Sequence, residues 1–218
     1  MTTYAAVTLT SGAIAATWAG ASTAVEAGAH YLGFVFFAGS PRAVTPDQAA
    51  ALADVVPPGI ARVGLFVNPD DATLDQVLST APLDMIQLHG TEQPGRVSAI
   101  RARTGLPVMK AVAISGPDDV TQGHAYADVA DRLMFDAKPP KDATRPGGNA
   151  LSFDWQLIAG ESWSKPWILA GGLTPENVAD AIAASGATAV DVSSGVEDAS
   201  GAKNPENIRG FIAAAKGA

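Results

Sequence analysis

The sequence predicts an α/β fold: a (β/α)8 TIM barrel, a single compact domain over residues 1–218. Three observations lead there. Short apolar runs alternate with helical patterns along the whole chain. Several runs are continuously apolar rather than alternating, as in parallel strands covered on both faces. Eight strand–helix units in 218 residues leave room for short connections only, which is how such barrels are built. The competing architecture is an open doubly wound sheet, which usually has about five or six strands and a switch point.

The strands are expected at Ala5–Thr10, Tyr31–Phe37, Ala61–Val67, Asp84–Leu88, Pro107–Val112, Arg132–Asp136, Trp167–Ala170 and Thr188–Val192. The helices between them are legible because proline recurs at their starts, where its missing N–H costs nothing. They are expected at Pro46–Val55, Asp71–Ser79, Pro94–Thr104, Pro117–Tyr126, Phe153–Ala159, Pro175–Ser185 and Pro205–Lys216. The helix near Ile14–Ala27 is the weakest. Gly12, Gly20 and a Thr/Trp-rich run are poor helix formers, so an irregular first βα unit is expected.

Composition narrows the function classes. Hydrophobic residues make up 47% and charged residues 17%, which argues against disorder. The net charge of −8 disfavours nucleic acid and anionic membrane as partners. No cysteine is present, which removes disulfides, thiolate metal sites and a cysteine nucleophile. The three histidines, at 30, 89 and 124, are too scattered for a metal cluster, and no cofactor motif is present. No apolar run is long enough to span a bilayer, and no Lys or Arg precedes Arg42, so a targeting segment is not expected and the cytoplasm is.

Active sites of (β/α)8 barrels sit at the carboxyl ends of the strands. Strand 7 runs into Gly171-Gly172 and strand 8 into Ser193-Ser194-Gly195. Small residues let backbone amides approach an anion, so this pair of turns points to a phosphate site, with plain tight turns as the alternative. Asp136 ends an apolar strand and is a candidate general acid; the alternatives are an N-cap or an ion pair with Lys138 or Arg145. Arg42 can grip a carboxylate with its planar fork, or remain a solvated surface charge. His89 can donate to a ligand or cap its turn. The long segment 137–151 carries three prolines and Gly147-Gly148; long loops in compact barrels are often functional, and a disordered insertion is the alternative.

Several segments together resemble the phosphoribosylanthranilate isomerases of tryptophan biosynthesis. They are Gly33-Phe34-Val35-Phe36 with Ser40-Pro41-Arg42, Gly64-Leu65-Phe66-Val67-Asn68, Gln87-Leu88-His89-Gly90, Phe153-Asp154-Trp155, Leu169-Ala170-Gly171-Gly172-Leu173 with Pro175-Glu176-Asn177-Val178, and Val190-Asp191-Val192-Ser193-Ser194-Gly195-Val196-Glu197. They fall in family order from about residue 26 to the C-terminus. The resemblance implies an Amadori rearrangement of N-(5'-phosphoribosyl)anthranilate without cofactor or metal. It makes Asp136 the general acid and Arg42 the ligand of the anthranilate carboxylate. It assigns the phosphate to Gly171, Gly172, Ser193, Ser194 and Gly195, with Gly147 and Gly148 nearby, and lines the pocket with Gln87, His89 and Asp191. The partner is a small phosphorylated molecule, and the assembly a monomer or homodimer. Another phosphosugar barrel enzyme, such as an indole-glycerol-phosphate synthase, needs a lysine pair on early strands, and Lys110 is the only strand lysine.

The first strand departs from the family. Family members open with Lys-Ile-Cys-Gly, whose cysteine is the general base. Counting back without gaps from Glu26 puts Ala13 in that position, and a three-residue insertion puts Thr10 there. Neither side chain accepts a proton near neutrality. General-base catalysis commonly contributes on the order of 10²–10⁴-fold, so the alternative expectation is an inactive barrel that still binds sugar phosphates. Residues 8–24 have the Ala/Thr/Ser/Gly bias of a GC-rich gene read out of frame, which translation of the coding DNA in the other frames tests.

Overall fold

The computed structural model describes residues 3–8, 14–140, 142–143, 147–149 and 151–218, with the side chains of the first helix from Trp18 onward. The described residues form a closed barrel of eight parallel strands in chain order. The strands are β1 (Tyr4–Thr8), β2 (Tyr31–Val35), β3 (Ala61–Phe66), β4 (Met85–Leu88), β5 (Val108–Ile114), β6 (Arg132–Ala137), β7 (Trp167–Leu169) and β8 (Ala189–Val192). The ring closes where β1 pairs with β8, Ala6 opposite Asp191 and Val7 opposite Val192. The helices are α1 (Ile14–Ala27), α2 (Pro46–Ala53), α3 (Asp71–Leu78), α4 (Pro94–Thr104), α5 (Pro117–Ala127), α6 (Val178–Ser185) and α7 (Pro205–Gly217).

The period of two along each strand sorts the side chains into two cores. Val63, Met85, Met109, Ala111, Met134, Ile168, Ala170 and Ala189 fill the barrel interior. The residues between them, such as Ile86, Leu88, Leu133, Phe135, Val190 and Val192, face outward and pack under the helices. The same alternation carries Gln87, Asp136 and Asp191 inward, one step above Met85, Met134 and Ala189, toward the carboxyl ends.

The helix starts follow their local chemistry. Thr45 and Gln48 form a reciprocal capping box with Pro46 at the first helical position. Asp70 caps α3 through Thr73, and Asn204 caps α7. Three expectations need correction. The segment Phe153–Ala159 is not an α-helix; only a 3-10 turn forms, at Trp155–Leu157, capped by Asp154. Helix α6 begins at Val178 rather than Pro175, because the Asn177 side chain folds back, accepting from Thr174 N and donating to Gly172 O. Helix α1 is continuous through Gly20, not irregular. Gly20 has a packing reason to be small: a Cβ there would lie 3.0 Å from the Lys203 Cβ.

A buried ion pair braces the β4 end. Lys110 lies on the outer face of β5, its Nζ 3.0 Å from Glu92, with both side chains almost fully buried. Nζ also donates to the carbonyls of Leu88, Gly90 and Ala111. Glu92 accepts from the backbone of Asn68 and Gly90. Every charge in the cluster is thus met by hydrogen bonds, the condition under which a buried pair is tolerated. Lys110→Ala leaves the Glu92 carboxylate unpaired and is expected to lower the unfolding free energy by about 3–5 kcal/mol, read as an earlier urea midpoint. A midpoint equal to wild type would show that the cluster carries no stability.

Candidate active site

A cavity opens at the carboxyl ends of the strands. Its wall includes Arg42, Gln87, His89, Asp136, Gly147, Gly148, Gly171, Gly172, Asp191, Ser193, Ser194 and Gly195. All the described residues singled out from the sequence therefore converge on one space. The two positions considered for the base, Thr10 and Ala13, lie outside the described residues. The described first strand instead brings Thr8 into the wall, a residue that sequence reasoning did not single out.

Asp136 is buried at the end of β6. Its Oδ2 lies 2.9 Å from His89 Nε2, and Oδ1 accepts from the Ala137 amide at 2.9 Å. The Gln87 amide nitrogen sits 2.9 Å from His89 Nδ1. With Gln87 donating to Nδ1, His89 carries its proton on Nε2 and donates it to Asp136. The ion pair with Lys138 weighed for Asp136 does not form: Lys138 bonds Asp119 at 2.8 Å. Arg145 lies outside the described residues. His89 thus lines the cavity and hydrogen-bonds the Asp136 carboxyl.

Arg42 is not a solvated charge. Its Nε and Nη2 each donate to Glu197 at 2.7 Å, and the side chain is buried. Glu197 Oε1 also accepts from Lys203 at 2.9 Å, and the same Nζ donates to Ser193 O at 2.6 Å. Two cations around one carboxylate hold Glu197 below the usual carboxylate range against the opposing effect of burial, which is the largest single influence. Burial pushes the Lys203 ammonium down to about 8. Lys203 thus ties the strand-8 turn to the arginine on the strand-2 loop. Glu197 was quoted only as part of a motif, and Lys203 gave no signal: the α1–α7 packing that buries it is tertiary.

The turns after β7 and β8 need their small residues. Gly171 adopts φ +87°, and a Cβ there would lie 2.6 Å from the Ala137 amide nitrogen. At Gly195 a Cβ would run into the Leu173 carbonyl. Gly147 and Gly148 lie equally close to the mouth residues. A Cβ on Gly147 would meet His89 Nε2 at 2.7 Å, and one on Gly148 would meet Arg42 Nη1 at 2.6 Å.

Asp191 points into the cavity from β8, and the Thr8 hydroxyl donates to its Oδ1 at 3.4 Å. Burial, and then the charge of Asp136, push its carboxyl up to about 7, while His89, Lys203 and Thr8 pull the other way. The folded pKa lies above the unfolded value, so charging Asp191 costs stability. The cost is absent below about 4 and complete above about 7. Asp191→Asn is therefore expected to stabilise the fold at pH 8 by roughly 1–4 kcal/mol, less wherever solvent in the mouth screens the charge, and to change little at pH 4. Thermal melts of both chains at the two pH values check this; an equal shift at both would disprove it.

Comparison with known proteins agrees with this geometry. The family described as N-(5'phosphoribosyl)anthranilate (PRA) isomerase matches residues 13–214. The N-(5'-phosphoribosyl)anthranilate isomerase of Paracoccus denitrificans is 63% identical over 197 residues, covering 90% of this chain and 92% of that protein. The crystal structure of the phosphoribosyl anthranilate isomerase from Thermotoga maritima superposes with a TM-score of 0.84 at 34% identity, covering 99% of this chain and 100% of that one. A structure of the isomerase in complex with reduced 1-(o-carboxyphenylamino)-1-deoxyribulose 5-phosphate superposes with a TM-score of 0.82 at 33% identity, over 99% of this chain and 100% of that one. This chain belongs to the phosphoribosylanthranilate isomerase family.

Proposed function

We propose that the chain converts N-(5'-phosphoribosyl)anthranilate to 1-(2-carboxyphenylamino)-1-deoxyribulose 5-phosphate, the Amadori step of tryptophan biosynthesis. One observation carries this reading: a single cavity holds a buried carboxyl on β6, a clamped guanidinium, and two adjacent turns of small residues. These are the groups that a phosphorylated sugar-amine bearing an aromatic carboxylate requires.

The family resemblance supplies the roles, and the convergence of these residues on one cavity supports them. Asp136 protonates the ring oxygen, the C1'–O bond breaks, and the anthranilate nitrogen supplies electrons to form the Schiff base. Arg42 holds the anthranilate carboxylate on the edge that Glu197 leaves open. Gly171, Gly172, Ser193, Ser194 and Gly195 receive the phosphate, with Gly147 and Gly148 over the mouth. Gln87 and His89 hold Asp136 in line. Local dipoles rather than overall charge must draw the anion in, because the chain itself carries −8.

A second reading, a barrel that binds sugar phosphate without turnover, is favoured by one feature: the first strand presents the hydroxyl of Thr8, not a thiol, to the cavity. Loss of substrate fluorescence on mixing with N-(5'-phosphoribosyl)anthranilate separates the two. Steady turnover is expected from the wild type, and Asp136→Asn should lower kcat on the order of 10²–10⁴-fold. Tight binding of the reduced product analogue with no turnover would establish the second reading. Glu197→Gln loosens the Arg42 fork and is expected to raise KM about tenfold, a loss of about 1.4 kcal/mol, with kcat less affected. An unchanged KM would show that Arg42 is held without it.

A further inference from the structure

We propose that Asp191 is the proton-abstracting group of this chain: from the strand beside Thr8, it removes the C2' proton that a first-strand thiol would otherwise take. This rests on the isomerase reading above. Among the described residues, the ionisable side chains lining the cavity, hydroxyls aside, are Arg42, His89, Asp136 and Asp191. Arg42 is a permanent cation locked to Glu197. His89 has both ring nitrogens engaged, by Gln87 and Asp136. Asp136 is committed as the acid. The residues that follow β1, Leu-Thr-Ser-Gly-Ala at 9–13, include no side chain that ionises near neutral pH, whatever path they take. Asp191 remains.

Its position suits the task. Asp191 pairs with Ala6 across the β1–β8 seam, and Thr8 follows two residues later on the same face of β1. Thr8 donates to Oδ1, and among the described residues no hydrogen bond engages Oδ2. The groups that act on it are Asp136 on β6, His89 just after β4, Lys203 before α7 and Thr8 on β1. Their balance, with burial, pushes the carboxyl up to about 7, so a large fraction is ionised at neutral pH while the group is more basic than an ordinary aspartate.

The step balances without a co-reactant. After ring opening, the Asp191 carboxylate takes the proton from C2'. The C2'–H electron pair becomes the C1'=C2' double bond, and the iminium π pair returns to nitrogen. The enolamine then regains a proton at C1' from Asp191 and loses its hydroxyl proton as the C2' ketone forms, a proton that restores Asp136.

Wild type, Asp191→Asn and Asp191→Asn/Thr8→Cys decide it, each assayed for turnover across the neutral pH range and each titrated with reduced 1-(o-carboxyphenylamino)-1-deoxyribulose 5-phosphate. Asp191→Asn is expected to lower kcat on the order of 10²–10⁴-fold, with analogue affinity changed only a few-fold. The wild-type kcat should fall on the acid side of about 7, and that limb should be absent from the residual rate of the variant. Adding Thr8→Cys should restore turnover, with the limb moved toward a thiol range of about 8.5. A kcat kept by Asp191→Asn, or a reduced kcat whose acid limb is intact, overturns the proposal and leaves the isomerase reading standing. A wild type that binds the analogue without turnover overturns both. Should Asp191→Asn not fold, a wild-type kcat that is flat with pH from about 6 to about 8 overturns the proposal by itself.

Discussion

The seam between β1 and β8 is the constraint from which the site's geometry follows. A parallel sheet becomes a barrel only when its first and last strands pair, and one residue of slip there would turn every side chain of β1 to the opposite face. The observed register sets Ala6 against Asp191 and Val7 against Val192. Ala5 and Val7 therefore go out to the helix layer, and Ala6 and Thr8 go in. The strand that departs most from the family in sequence keeps its structural duty because that duty asks only for small or apolar residues at alternating positions. Its chemical duty asks for a particular atom, and that is what is missing.

Around this ring the site is held by charges that do not themselves reach the reacting atoms. Lys203 is buried against Glu197 and the Ser193 carbonyl, and Glu197 in turn grips Arg42. Lys110 and Glu92 do the same work behind the turn that carries His89. Each cluster joins backbone from elements distant in sequence, and each would be costly if one member were removed. Rigid backing of this kind lets a few side chains act on a small ligand without rearranging.

The two cavity carboxylates illustrate how environment divides one residue type into two roles. Asp136 is supplied with N–H donors from His89 and Ala137. Asp191 has one long bond from a threonine and feels the charge of Asp136 across the mouth, so its carboxyl is pushed up to about 7. With the acid role given to Asp136 and no thiol on the described first strand, proton acceptance falls, on the proposal above, to the second carboxylate.

The sequence by itself determined the barrel, its strand positions within a few residues, and the turns of small residues that line the mouth. Those features are written locally, in apolar runs, in prolines at helix starts, and in glycines that only tight backbone approach requires. The segment Phe153–Ala159 misled because a 3-10 turn and a helix share the same cap and the same short apolar spacing. The tertiary structure alone decided that Thr8 meets Asp191, that His89 serves Asp136, and that Arg42 is clamped by Glu197 and Lys203. Those pairings join residues separated by 183, 47 and 155 positions for the first three contacts. Closing the ring brings such residues together, and no local pattern along the chain encodes the distance between them.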